Sequence, residues 1–281
     1  MQQDDIKERE RSNWSAAAEG WRRRDDLLRK GAAPVSERML DMVNLRLGSQ
    51  LLDIASGTGE PAIPAAHIVG EQGRVIGVDL TEPMLEVARE KAAKQNLKNI
   101  EFRVMDAESL DFPADTFDAM TMRWGLMFMP NPDQCLASVY RVLRPHARIS
   151  LACWAEPERN PFVGILIKTL SRYMDMPSKD PKAPGIFSFA NSAYLHDTIA
   201  AAGFSDIHVE EMVIDVLEVA DGRAYWEAIS DLAAPVMALV NQLDDTARAA
   251  YIHDVIQLAD TLKQGESLRV EGTTWIATAV K

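Results

Sequence analysis

An apolar run, Leu51-Leu52-Asp53-Ile54-Ala55, leads straight into Ser56-Gly57-Thr58-Gly59-Glu60. Glycines at 57 and 59 allow a tight turn and leave bare main chain for a ligand to lie against. A helix expected over 62–69 would point its free N–H groups into that turn. Twenty residues past Gly59, Asp79 closes a second apolar run, where an acid can accept hydrogen bonds from ribose hydroxyls. Asp106-Ala107-Glu108 closes a third and brings another carboxylate to the same edge, placed to meet an adenine amino group. A glycine turn with acids at these distances is the arrangement of a nucleoside-cofactor site. Gly-x-Gly alone also describes an ordinary strand–helix turn beside a solvated Asp, so the surrounding elements carry weight.

Those elements alternate. Gln50–Ala55, Arg74–Asp79, Ile100–Met105, Phe117–Met122 and Arg148–Trp154 are apolar β-type runs without polar alternation, the pattern of strands covered on both faces. Between them, 83–94 opens with Thr81 as N-cap and Pro83 in the first turn. Residues 133–143 carry Leu136, Val139, Tyr140 and Leu143 as one helical stripe. Such alternation predicts an α/β fold with a mostly parallel sheet and right-handed crossovers. The flanks differ: a helix over 12–30 with Trp14 and Trp21 on one side, then Pro157, Pro161, Pro177, Pro181 and Pro184 around a short helix at 162–174. A helix at 192–202 stops at Gly203, and a strand follows over 207–217. Helices in phase over 225–240 and 251–262 precede an alternating strand at 274–280. Four stretches result: an N-terminal helical segment (1–48), a nucleotide-type core (49–154), a Pro-rich insertion (155–191), and a return to the sheet (192–281) with a helical insertion at 221–264.

The 281 residues carry a net charge of −12, from 30 Lys+Arg against 42 Asp+Glu, which argues against a nucleic-acid partner because phosphate binding draws on clustered cations. Arg22-Arg23-Arg24 runs into Asp25-Asp26 and reads as a solvated helix face. Cys135 and Cys153 sit in apolar stretches, too few for a disulfide framework or a zinc site. No apolar run could span a bilayer and no signal segment opens the chain, so a cytoplasmic protein without bound metal is expected. Met120, Met122, Met127 and Met129 read as core. None of the five histidines stands out as a general base: His67 and His253 fall in helical patterns, His208 in a strand, His146 in a turn and His196 near a helix start.

Two further segments sharpen the reading: Met122-Arg123-Trp124-Gly125 after the fourth strand, and Arg141-Val142-Leu143-Arg144-Pro145 before the fifth. In this order and spacing, residues 12–154 resemble the class I S-adenosylmethionine-dependent methyltransferases, closest to the branch holding the ubiquinone/menaquinone C-methyltransferases. The resemblance implies a Rossmann-like, mostly parallel seven-stranded sheet flanked by helices, with the helical additions as lid and acceptor pocket. It implies S-adenosyl-L-methionine as cofactor, its methionine part held by Asp53, Ala55, Ser56, Gly57 and Gly59, with Asp53 near the amino group. Asp79 would bind the ribose, Leu80 and Met84 would lie beside the adenine, and Asp106, Ala107 and Glu108 would meet the adenine edge. Arg123 and Trp124 would stand where donor meets acceptor, the only candidates for a catalytic role, and Trp21, with Trp14, would close over the cofactor. Ala55 stands where the fuller Gly-x-Gly-x-Gly turn has its first glycine, and Pro145-His146-Ala147 where Pro-Gly-Gly is usual.

The implied activity is methyl transfer to a small apolar or neutral acceptor by in-line displacement, in a chain that could form a homodimer. Two alternatives stay open. Gly57-x-Gly59-x-x-Ala62 followed by Asp79 satisfies the looser nicotinamide-dinucleotide fingerprint, although a charge at Asp53 would repel a pyrophosphate. A protein can also keep a cofactor fold without transferring a methyl group.

Overall fold

Strands form where the continuous apolar runs lie: β1 (Gln50–Ile54), β2 (Arg74–Asp79), β3 (Ile100–Val104), β4 (Phe117–Arg123) and β5 (Leu143–Trp154). The structure is a computed structural model that describes residues 3–176 and 183–281; Pro177 and Pro181 of the Pro-rich stretch lie outside the described residues. These five strands are mutually parallel where they pair. Chain return through β6 (Ser205–Val219), a two-residue β7 (Lys263–Gln264) and β8 (Ser267–Val280) adds antiparallel partners. The sheet order is β3-β2-β1-β4-β5-β8-β6, with β7 paired to β8 alone. Leu51, Leu52, Met120, Ile149 and Leu151 are fully buried within it, each contributing about 1.5–3 kcal/mol by leaving water.

The leading helical segment differs from expectation. One helix over 12–30 is in fact two, α1 (Gln3–Arg23) and α2 (Asp25–Met42), broken at Arg24. The second runs through Gly31 and Pro34, residues that normally stop a helix. Pro34 forfeits a helical hydrogen bond at a cost of about 3 kcal/mol, offset by burial of Val35, Met39 and Leu40. Gly31 is needed for closeness: a Cβ there would sit 2.3 Å from the Val216 carbonyl oxygen of β6. The Arg22–Arg24 run is solvent-facing as expected, and it also makes surface ion pairs: Arg23 and Arg24 both hold Asp231 (2.7 and 2.8 Å) and Arg22 pairs with Glu90.

The sheet is flanked by α3 (Ala62–Val69), α4 (Glu82–Lys94) and α5 (Pro132–Val142). Next come α6 (Pro161–Leu170) and α7 (Ser192–Ala201). The phase over 225–240 is also two helices, α8 (Gly222–Leu232) and α9 (Ala234–Val240), since Pro235 lacks the N–H that a continuous helix would need. Then α10 (Asp245–Asp260) completes the insertion. His146 adopts φ +67° and takes the left-handed conformation that a glycine would otherwise supply. Only residues 274–280 of β8 pair with β5; residues 268–273 pair with β6, and Leu268 also with β7. The two strands thus continue past the end of β5 as a ribbon that bears α8, α9 and α10.

Candidate functional site

Parallel strands end together, and the ends of β1, β2, β3 and β4 open onto one cavity of about 1090 Å³, just above the usual range of roughly 300–1,000 Å³ for small-molecule sites. The β1 end supplies the turn. Ser56 N–H donates to the Val78 carbonyl and Gly59 N–H to the Ser56 carbonyl, so the chain folds back over β2. Gly57 has φ +51°, and a Cβ on it would meet nothing within 4 Å; its missing side chain is open space bordering the cavity. Gly59, at φ +97°, does another job: a Cβ there would strike Ile63 at 2.7 Å. Ala55 also holds a positive φ, +52°, at about 1 kcal/mol for an L-residue. Its methyl occupies the space that a Cβ on Gly125 would need.

Asp79, at the β2 end, organises the turn. Its Oδ2 accepts from Gly57 N–H (2.9 Å), while Oδ1 accepts from the Thr81 N–H (3.0 Å) and hydroxyl (2.7 Å). Thr81 therefore occupies the N-cap position of α4 without capping it. Burial raises the Asp79 pKa, against these hydrogen bonds, which favour the ionised form. Asp106, at the β3 end, accepts from the Glu108 N–H (2.9 Å) and from Lys7 Nζ of α1 (2.7 Å).

Ala55, Ser56, Gly57, Asp79, Leu80, Met84, Asp106, Ala107, Arg123, Trp124 and Trp21 all border the cavity. Asp53, Gly59 and Glu108 are not among its lining residues. Asp53 is fully buried below the turn, in register with Thr121, whose hydroxyl donates to its Oδ1 at 2.7 Å. Its Oδ2 has no hydrogen-bond partner among the described residues. Burial pushes its pKa up to about 7, opposed by neighbouring hydroxyls and the Arg123 guanidinium. Glu108 turns away to accept from the Asn131 N–H (2.7 Å) and to pair with Lys7 (2.6 Å). Glu60, which the sequence reading passed over, does border the cavity; its position directly after the second glycine was the available signal.

Arg123 ends β4 with its guanidinium beside the Trp124 ring and burial drawing its pKa down. Its Nη1 donates to the Ser36 hydroxyl of α2 at 2.6 Å. From Trp124 outward the lining becomes apolar. Trp124 stacks on Trp154 (4.2 Å, 14°), Trp154 meets Phe162, and Leu217, Leu232, Val236 and Leu239 close the far side. Helix α1 covers the other end. Trp14 packs edge-on to Trp21 and Phe128, and Trp21 Nε1 donates to the Leu232 carbonyl (3.3 Å). Met120, Met122 and Met127 are core, Met127 also bordering the cavity, whereas the half-buried Met129 lines it from outside that core. No histidine or cysteine is among its lining residues. Burial drives both thiols' pKa values well up, which leaves them inert. Among the described residues, no group of three or more His, Cys, Asp or Glu could hold a metal, and no helix is long and apolar enough to cross a membrane.

Residues 35–173 match the model of the ubiE/COQ5 methyltransferase family. The ubiquinone/menaquinone C-methyltransferase UbiE of Serratia proteamaculans is 30% identical over 194 residues, 65% of this chain and 77% of that protein. The chain belongs to the ubiE/COQ5 methyltransferase family. The Marinomonas UbiE is 38% identical over 136 residues, 48% of this chain and 54% of its own length, so the match to that relative spans about half of it. Two solved structures share the fold at low identity. YcgJ of Bacillus subtilis gives a TM-score of 0.59 at 22% identity, covering 89% of this chain and 98% of that one. The [4+2]-cyclase SpnF gives 0.57 at 21%, covering 89% and 81%. Within this ubiE/COQ5 chain the family match takes in the glycine turn, Asp79, Asp106 and Arg123, but not α1 or the insertion that carries α8, α9 and α10.

Proposed function

We propose that this chain transfers the methyl group of S-adenosyl-L-methionine to a small, largely apolar and neutral acceptor. The observation that carries the reading is one continuous cavity with two chemistries. At one end stand a bare glycine turn and two strand-end carboxylates, and at the other an aromatic and aliphatic wall. The residues present suit the cofactor: space at Gly57 for a ligand against main chain, and Asp79 and Asp106 with acceptor capacity facing the cavity. Asp79 would take the ribose hydroxyls. Asp106 would take the adenine amino group beside the Ala107 N–H, sharing its carboxylate with Lys7, while Leu80 and Met84 flank the base. Glu108, tied to Asn131 and Lys7, supports that edge from behind.

When bound, S-adenosylmethionine supplies a methyl group already activated on a sulfonium. The protein's task is then alignment and exclusion of water. Alignment of a near-attack geometry can lower a barrier by roughly 7–11 kcal/mol, and a dry wall adds to it. Trp124, stacked on Trp154 and held by its Nε1–H to the Thr274 hydroxyl (3.1 Å), is a rigid surface for the acceptor. The acceptor supplies the nucleophile that displaces the sulfonium, and no histidine or cysteine is among the lining residues to take its proton.

Calorimetry with S-adenosylhomocysteine and with NADH tests the reading. Tight binding of the first and none of the second is expected; the reverse would move the chain to the nicotinamide alternative. The charge argument against that alternative is weaker than the sequence implied, because Asp53 is buried and half-protonated near neutrality; family membership speaks against it instead. Incubation with labelled donor and a metabolite extract then separates transfer from binding alone, the second alternative.

A further inference from the structure

Resting on the cofactor reading above, we propose that Asp231, gripped by Arg23 and Arg24, is a positioning residue. It seats the α8–α9 wall on α1, so that cofactor in the strand-end half of the cavity also steadies the acceptor half. Helix α1 borders the cavity with Lys7, Trp14 and Trp21 and is fastened to both halves. On the strand-end side, Lys7 holds Asp106 (2.7 Å) and Glu108 (2.6 Å), and Arg22 pairs with Glu90 of α4. On the acceptor side the fastenings converge on the C-terminal half of α8. Arg23 Nη2 and Arg24 Nε donate to the two carboxylate oxygens of Asp231 (2.7 and 2.8 Å), and Arg24 Nη2 donates to the Glu227 carbonyl (3.0 Å). One residue on, the Leu232 carbonyl accepts from Trp21 Nε1 (3.3 Å). Gly20 allows the approach, since a Cβ there would lie 2.5 Å from the Asp231 carbonyl oxygen.

The apolar contacts run the same way. Ala17, Ala18 and Met84 form a buried cluster of their own, with Trp14, Trp21 and Ala234 packed against it. Met84 flanks the base in the cofactor reading and Ala234 opens α9, so this cluster joins the two halves across α1. Leu232, Ala233 and Val236 in turn border the cavity. Two guanidiniums on one carboxylate, above a backbone approach that glycine permits, fix a geometry rather than add loose surface charge pairs. Lifting α1 would break the Asp231 grip, open the Met84 cluster and unseat the wall at once. Elements that open together share one opening free energy. A ligand that fills the space beneath α1 favours the seated form and stabilises the whole unit by mass action. By reciprocity, an acceptor held against α8 and α9 tightens the hold on the cofactor by the same factor.

Hydrogen exchange with and without S-adenosylhomocysteine, supplied at about 100 times its Kd, tests the coupling. In the wild-type chain the ligand should slow exchange in α1, and in 222–240 as well, by about tenfold or more, against a ceiling of about 100-fold set by that excess. Asp231→Ala should keep the slowing in α1 but cut it in 222–240 to less than about twofold, with S-adenosylhomocysteine affinity down no more than about fivefold. Gly20→Ala should act the same way, because its methyl pushes α8 off α1. It also raises the helix propensity of α1, so a merely structural role would slow exchange there instead of uncoupling 222–240. Slowing confined to α1 and the strand-end turns of the wild-type chain would overturn the coupling and leave the cofactor reading intact, with no reliance on a variant that folds. Slowing of 222–240 that survives in both variants would overturn it too, as the mark of direct ligand contact with those helices. A wild-type chain that shows no calorimetric binding of S-adenosylhomocysteine would overturn the cofactor reading and this proposal together.

Discussion

The two ends of the cavity are built by opposite means. The strand-end half comes from a few short segments, 54–58 with Glu60, 78–81 with Met84, 105–107 and 123–125, and its specificity lies in backbone amides, a missing side chain and carboxylates. The apolar half is assembled from α1, residues of the 154–176 and 183–190 stretches, the β6–β8 ribbon and the helices it bears. These pieces are held by packing and a few long-range ties such as Trp21 to the Leu232 carbonyl. A ligand common to many enzymes can be met by local geometry, whereas an individual acceptor is met by tertiary assembly.

That contrast can be broken in four ways. The largest effect should come from Asp53. Its folded pKa, about 7, lies above the ordinary 3.8, so the favourable contribution of its protonated form is complete below pH 3.8 and is lost as pH rises to about 7. The loss amounts to at most about 4 kcal/mol. Asp53→Asn should therefore gain stability relative to wild type on going from pH 5 to pH 8 in urea unfolding; a constant difference would mean that Asp53 is ionised throughout.

Next in size, Phe162→Ala in the apolar wall should cost about 3 kcal/mol of stability but change S-adenosylhomocysteine affinity by less than twofold. A large affinity loss would erase the division between the halves. Asp79→Ala should do the converse: about a 100-fold loss of affinity, ~2.7 kcal/mol, measured by calorimetry. The smallest effect should belong to Lys7→Met, which removes the tie from α1 to Asp106 and Glu108. For these partly buried groups about 1 kcal/mol is expected, read as faster hydrogen exchange in α1 and a several-fold faster release of S-adenosylhomocysteine.

Legibility in the sequence follows the same division. The parallel strands, the turn, Asp79 and Asp106 could be read because each lies at the end of an apolar run, where parallel topology collects strand ends. Side-chain direction could not. Asp53 faces Thr121 across the sheet instead of the cavity because strand register, not proximity to the turn, decides where it points. Glu60 enters the cavity through the path of the turn that precedes α3. Lys7 and Ser36 acquire roles only once α1 and α2 fold back over strands many residues away. The break at Ala233 was visible in Pro235, but the apolar phase over 225–240 masked it.

The ribbon of β6 and β8 leaves the sheet before it reaches the helices it carries. The insertion enters and leaves the sheet at one stem, between Val219 and Ser267, yet its helices also bond to α1 through Leu232 and Asp231 and to α6 through Tyr225 and Tyr251. A change of acceptor, in evolution or in the laboratory, would therefore have to exchange those faces of α1 and α6 together with the insertion, while the strand ends that meet the methyl donor could stay as they are.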